Sequence, residues 1–282
     1  MKYLAGLALS ASCLLFTNAA HAIVASVTTA AMGLAGAAAA GASGITVNGA
    51  TLSGHATSSG TFSNASGTYG IGSGIMLSTG DVRDYGDGPD NSEGKTTQYG
   101  ILGTPAQHAI LSRIGGNDNY FDVTQLDIQF TTSTGSVFFQ AVFGSEEYPD
   151  FVGKFVDGFG LLIDGVNIAF VGGLPLNIDH PTVQPVGGTE LNGILCPGTA
   201  DRCTPAQTFS LSGLSTDRSH TLSFIIGDRG DDRLDTTVYI SALGGTRPVD
   251  LPEPGSAGLL GIGVLGLLAA RWRRKTRKPR LQ

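Results

Sequence analysis

From Gly44 onward the chain is a succession of short β-branched, aromatic and aliphatic runs, each stopped by Gly, Asn, Asp or Pro. That texture restricts it to strands joined by turns. The runs predict strands over 45–47, 61–63, 75–78, 126–131, 136–143, 160–163, 166–171, 208–211, 220–226 and 236–243. Many short strands with few helices imply a sandwich or a barrel. Only 105–114 reads as a clear helix, with Thr104 as its cap and Pro105 at the first position. Residues 23–44 are rich in Ala, Gly and Ser; Ala favours helix and the interspersed Gly oppose it, so a helix over 27–39 and a flexible segment both remain open. The expected fold is mostly β, a sandwich-like domain of jelly-roll type over 45–247 with one or two short helices, and no internal repeat is evident.

Two runs, VFFQAVFG (137–144) and TLSFIIGD (221–228), are bulky with little alternation, as expected of strands covered on both faces. Each ends in an acidic turn. Glu146, Glu147, Asp150 and Asp157 follow the first, and Asp228, Asp231, Asp232 and Asp235 the second. If the two strands are neighbours, the turns meet at one end of the domain. Carboxylates are hard ligands suited to Ca²⁺, which takes six to eight oxygens, so the candidate calcium ligands are Glu146, Glu147, Asp150, Asp157, Asp228, Asp231 and Asp235. Arg229 and Arg233 lie among them and could pair with the same groups. A further cluster, Asp81, Asp84, Asp87 and Asp90, lacks the bidentate Glu of an EF-hand loop. Turn chemistry alone also places Asp at such positions.

Charge is unevenly distributed. Of 17 basic residues, Lys2 and seven in the last twelve positions lie at the ends, leaving nine between Ile23 and Ala270 against all 23 acidic residues, a net of −14. Phosphate binding needs a basic footprint, so nucleic acid is excluded as a natural partner of the body. Residues 1–22 have a positive start, an apolar run and the small-residue site Ala20-His21-Ala22, the build of a secretory signal peptide cleaved after Ala22 by a Sec-type route. Export implies an oxidising compartment, in which Cys196 and Cys203, flanking the turn-rich CPGTADRC, form a disulfide. Closing a loop of eight residues is worth about 2–3 kcal/mol in the chain-entropy model.

At the other end, a linker (248–251) leads to Pro252-Glu253-Pro254, sixteen apolar residues (255–270), and a basic cluster that runs into the tail 276–282. As a helix the apolar stretch spans about 24 Å against a hydrocarbon core of about 30 Å, a marginal transmembrane helix that Trp272 and snorkelling Arg side chains could extend. The positive-inside rule places its C-terminus in the cytoplasm and the body outside.

Pro252, Glu253 and Pro254, then the Gly/Leu-rich helix, then Arg271, Arg273 and Arg274 resemble the PEP-CTERM sorting signal of Gram-negative bacteria, here over 252–275. The resemblance implies transient anchoring in the inner membrane, processing by an exosortase-like membrane protease, and a cell-surface or extracellular destination, often in exopolysaccharide-producing cells. VFGSEEYPDFVGKFVDGFGLLIDGVNIA (142–169), with GIMLSTGDV (74–82) and IIGDRGDDRLDTTVYI (225–240), is similar to the choice-of-anchor L domain, a mostly β extracellular module without assigned catalysis. Phe155-Val156-Asp157 departs from the Phe-Asn-Asp more usual there. The expected function is that of a non-catalytic surface or matrix protein, structural or adhesive in an exopolysaccharide or biofilm context. The alternative is a glycoside-cleaving enzyme using Glu146 or Glu147 with Asp228 as its acid pair.

Overall fold

The computed structural model describes residues 23–85, 96–186, 191–199 and 202–246. The strands are β1 (Val24–Val27), β2 (Ile45–Ser53), β3 (Ser59–Ser63), β4 (Gly74–Ser78), β5 (Tyr120–Thr132), β6 (Ser136–Ser145), β7 (Gly158–Ile163), β8 (Val166–Asn167), β9 (Phe170–Val171), β10 (Leu174–Asn177), β11 (Val183–Gln184), β12 (Gly193–Leu195), β13 (Gln207–Ser212), β14 (His220–Arg229) and β15 (Thr236–Gly244). Two helices, α1 (Ala31–Ala38) and α2 (Pro105–Leu111), accompany them. One antiparallel sheet runs β1-β3-β4-β15-β6-β12-β11, with β13 sharing the edge of β6. The other runs β2-β5-β14-β7-β10-β9, with β8 on β7. The chain crosses between sheets repeatedly, from β1 to β2, β2 to β3, β4 to β5, β5 to β6, β6 to β7, β10 to β11, β13 to β14 and β14 to β15, as the sandwich reading requires.

The core follows from the two-residue period of a strand. Leu126, Ile128 and Phe130 of β5, Leu222, Phe224 and Ile226 of β14, and Phe159, Leu161 and Ile163 of β7 point inward from one sheet. Phe139, Ala141 and Phe143 of β6 and Val238 and Ile240 of β15 meet them from the other, with Phe139 edge-on to Phe224 at 5.5 Å between ring centroids. The intervening residues are buried as well. Met76, Val142 and Tyr239 on the outer face of the first sheet pack with Ile23, Phe62, Val82 and Leu191. Leu162 and Ile225 on the outer face of the second pack with Leu111, Ile114, Tyr120 and Val123 beside α2. Cover on both faces explains why the runs in β6 and β14 hardly alternate.

Several local expectations are corrected. α1 begins at Ala31 rather than Val27, because Val24–Val27 form an edge strand paired with Ser63–Gly60 of β3. That pairing brings backbone so close that a Cβ on Gly60 would lie 2.6 Å from the Ser26 carbonyl oxygen. The strand expected over 166–171 is broken into β8 and β9, since the Asn167 side chain takes the Leu161 (3.1 Å) and Ala169 (3.0 Å) amides into a local turn. α2 is as expected at its start: Thr104 and Gln107 form a reciprocal capping box. It ends at Leu111, short of 114. Cys196 and Cys203 are joined, S–S 2.04 Å. Among the described residues no helix is long and apolar enough to cross a membrane; the segment 255–270 lies outside them, as does the signal peptide with Ala22.

Candidate functional site: a buried acidic end of the sandwich

The strands carrying the two acidic turns are not neighbours within a sheet. β6 belongs to one sheet and β14 to the other, packed face to face. Their ends nevertheless coincide, because Ser145 of β6 pairs with Thr236 of β15 while Gly227 of β14 pairs with Gly158 of β7. Glu146 and Glu147 therefore leave β6, Asp157 enters β7, Asp228 ends β14 and Asp235 enters β15 at one end of the sandwich.

Backbone ties hold this end together. The Glu146 amide donates to the Asp235 carbonyl (3.0 Å) and the Glu147 amide to Ser145 Oγ (3.1 Å). Asp157 accepts the Arg229 amide at Oδ1 and the Thr236 hydroxyl at Oδ2, both at 2.8 Å. Asp235 Oδ2 accepts the Tyr85 hydroxyl (2.9 Å) and the Thr97 amide (3.0 Å). Gly80 packs directly on that carboxylate, where a Cβ would stand 1.8 Å from Oδ2. Other oxygens find no donor: Glu147 Oε2, Asp235 Oδ1 and at least one oxygen of Asp228 are buried without a hydrogen-bond partner. The Thr79 hydroxyl has a single proton to share between the Thr236 carbonyl, a long contact of 3.5 Å, and Asp228, whose acidity it favours, so it serves at most one of the two Asp228 oxygens.

Burial dominates the electrostatics. It pushes Glu147 up to about 9, with Asp157 and Asp231 adding repulsion. Asp157 rises to about 7 through burial, partly offset by the Arg229 amide and the Thr236 hydroxyl. Asp235 also rises to about 7 through burial, against the pull of the Thr97 amide and the Tyr85 hydroxyl. Asp228 is raised well above the usual carboxylate range by burial and then by Asp157 and Asp235. The arginines do not relieve this. Arg229 turns toward Asp118 (Nε to Oδ2 3.7 Å), and Arg233 is exposed. Among the described residues neither forms an ion pair with the buried acids.

The seven candidate ligands thus divide. Glu146, Glu147, Asp157, Asp228 and Asp235 are brought together and buried, whereas Asp150 is exposed and Asp231 only half-buried at the rim. Among the described residues no group of three carboxylate, imidazole or thiolate side chains already stands in a metal-holding arrangement. The second cluster does not join the site as a set: Asp81 binds the Arg83 guanidinium, and Asp87 and Asp90 lie outside the described residues. Sequence reasoning missed Asp122, a buried neighbour whose carboxylate takes the amides of Tyr99 (3.0 Å), Gly100 (3.3 Å) and Ile101 (2.7 Å) and so pins that stretch beside the site. It also missed Tyr85 and Thr97, whose approach to Asp235 crosses about 140–150 residues of chain.

Residues 24–244 match the Choice-of-anchor L domain. The chain belongs to that family. Residues 250–275, containing Pro252, Glu253, Pro254, Arg271, Arg273 and Arg274, match the PEP-CTERM protein-sorting motif. This choice-of-anchor L protein is therefore an exported surface protein sorted through membrane anchoring by exosortase-type machinery. Neither a curated protein nor a solved structure matches it. Its sorting residues lie outside the described ones, but the body's last described stretch does not: the Gly245 amide bonds the Ser43 carbonyl (2.7 Å) and Thr134 Oγ1 bonds the Gly245 carbonyl (2.8 Å). These contacts hold the end of β15 opposite the acidic turns. Val156 is buried, and its carbonyl lies against Gly115.

Proposed function

We propose that this protein is a non-catalytic structural or adhesive component of an exopolysaccharide-rich outer layer, exported by Sec-type machinery and processed at Pro252–Pro254. One observation carries the non-catalytic part. A glycosidase must present two carboxyl groups to a sugar on either side of the scissile bond, yet Glu147 is 1% exposed and Asp228 0%. Groups sealed between two sheets serve the fold or a small ion better than a polysaccharide. The competing enzyme reading would need Glu146 or Glu147 and Asp228 to open to solvent.

The two readings separate in one assay. Incubated with exopolysaccharide, the exported protein should be retarded in a polysaccharide-containing gel and should release no reducing ends. Reducing-sugar release that disappears in E147Q would establish the enzyme and end the adhesive reading.

A further inference from the structure

We propose that the buried acidic end of the sandwich is a divalent-cation site of calcium type, formed by Glu147, Asp157, Asp228 and Asp235. Four carboxylates between 0% and 1% exposed share one end of the domain. Crowding of acids alone would not identify a ligand; the unpaired oxygens do. At least one oxygen of Asp228, with Asp235 Oδ1 and Glu147 Oε2, is buried without a donor, although the great majority of buried polar atoms in proteins have one. Asp157 spends one lone pair of each oxygen on Arg229 and Thr236, which fixes its carboxylate and leaves a second lone pair on each atom.

Bare anions do not persist in a low-dielectric interior without compensation. Protons are one means of neutralising them, but a proton turns one oxygen into a donor and leaves the other still seeking one. A cation satisfies several oxygens at once. The donor set is all oxygen, without the Cys or His that zinc sites favour. Calcium tolerates irregular geometry and takes carboxylates in one- or two-oxygen modes, whereas magnesium holds its waters and demands an octahedron, which suits a packed strand end poorly. Because no three of these side chains already converge, binding is expected to draw the Asp228 and Glu147 side chains toward the fixed Asp157. Asp150 and Asp231, at the exposed turns, stand outside the site. The inference is independent of whether the protein adheres to polysaccharide.

The test uses the exported protein, treated with EDTA and exchanged into chelator-free buffer at neutral pH, with Ca²⁺ as the probe. Thermal unfolding should show a saturable rise of roughly 5–10 °C at about a hundredfold excess over Kd. Mg²⁺ should give much less. Asp228→Asn keeps the shape and removes the charge, and should abolish most of the rise, whereas Asp150→Asn on the exposed turn should keep it. Titration calorimetry on the unmodified protein reads binding directly, so a variant that failed to fold would not decide the matter. Absence of saturable heat together with an unchanged unfolding temperature in millimolar Ca²⁺ would overturn the proposal. So would equal responses in Asp150→Asn and Asp228→Asn, which would mark a surface-charge effect.

Discussion

Phe224→Ala should lower the stability of the body by about 3–5 kcal/mol, because a fully buried ring is replaced by a cavity that a two-sheet core can only partly close. Phe224 is 0% exposed and joins the two sheets. It meets Phe139 of the opposite sheet edge-on at 5.5 Å and lies nearly parallel to Phe159 at 6.4 Å. Against a total stability of about 5–15 kcal/mol, that loss is large enough to depopulate the fold at moderate temperature. Phe170→Ala provides the contrast. Phe170 is 47% exposed on the short strand β9 at the edge of its sheet, and its loss should stay within about 0.5 kcal/mol. Urea unfolding of both variants checks this; comparable losses would mean that the sheets are not held together through the Phe139–Phe224 layer.

Without a cation the body should lose stability as pH rises. Glu147 is raised in the folded state to about 9, and Asp157 and Asp235 to about 7. In the unfolded chain these groups lose their protons near pH 4. Between those limits the folded state holds more protons than the unfolded one, so the pH derivative of the unfolding free energy is negative. Their stabilising contribution is complete below about pH 4 and disappears through pH 7 and then 9. Asp81 and Asp164 act oppositely. Both are lowered, despite some burial, by Arg83 hydrogen bonds for Asp81 and by the Thr221 amide, His220 and Arg218 for Asp164, so their contribution is present above pH 4 and lost in stronger acid. The unfolding temperature in EDTA should therefore peak in mild acid and fall from pH 5 to pH 8. Asp235→Asn, at a group raised to about 7, should flatten that fall by removing a carboxyl that loses its proton across this interval in the folded state. A temperature that climbs across this interval would contradict the buried-acid account.

The inward alternation of β5, β7 and β14 was legible because a strand has period two whatever its partners. The ends of β6 and β14 were legible as acidic turns for the same local reason. Their meeting place was not. The sequence made their meeting conditional on the two strands being neighbours, whereas they lie in opposite sheets and meet through β15, whose Thr236 pairs with Ser145 and bonds Asp157. Short strands such as β11 and β12, two and three residues long, carry too little pattern to be read, and they exist because β6 offers an unpaired edge at Gly144–Ser145. Asp122 sits inside FDVTQ with no turn residue beside it, yet it has φ 49° and turns its carboxylate to three amides some twenty residues earlier. Only tertiary contact could reveal it. The sorting tail was the opposite case, since a tripeptide, an apolar stretch and a basic end are linear features that need no fold to be recognised.

Mass spectrometry of the protein recovered from the cell surface or medium tests the account most directly, because it reads export and sorting together. The predicted species begins at Ile23, ends at or beside Pro252–Pro254, and carries Cys196 and Cys203 in the oxidised form. A mature protein that still extends through the basic tail to Gln282 would contradict processing at the Pro-Glu-Pro site.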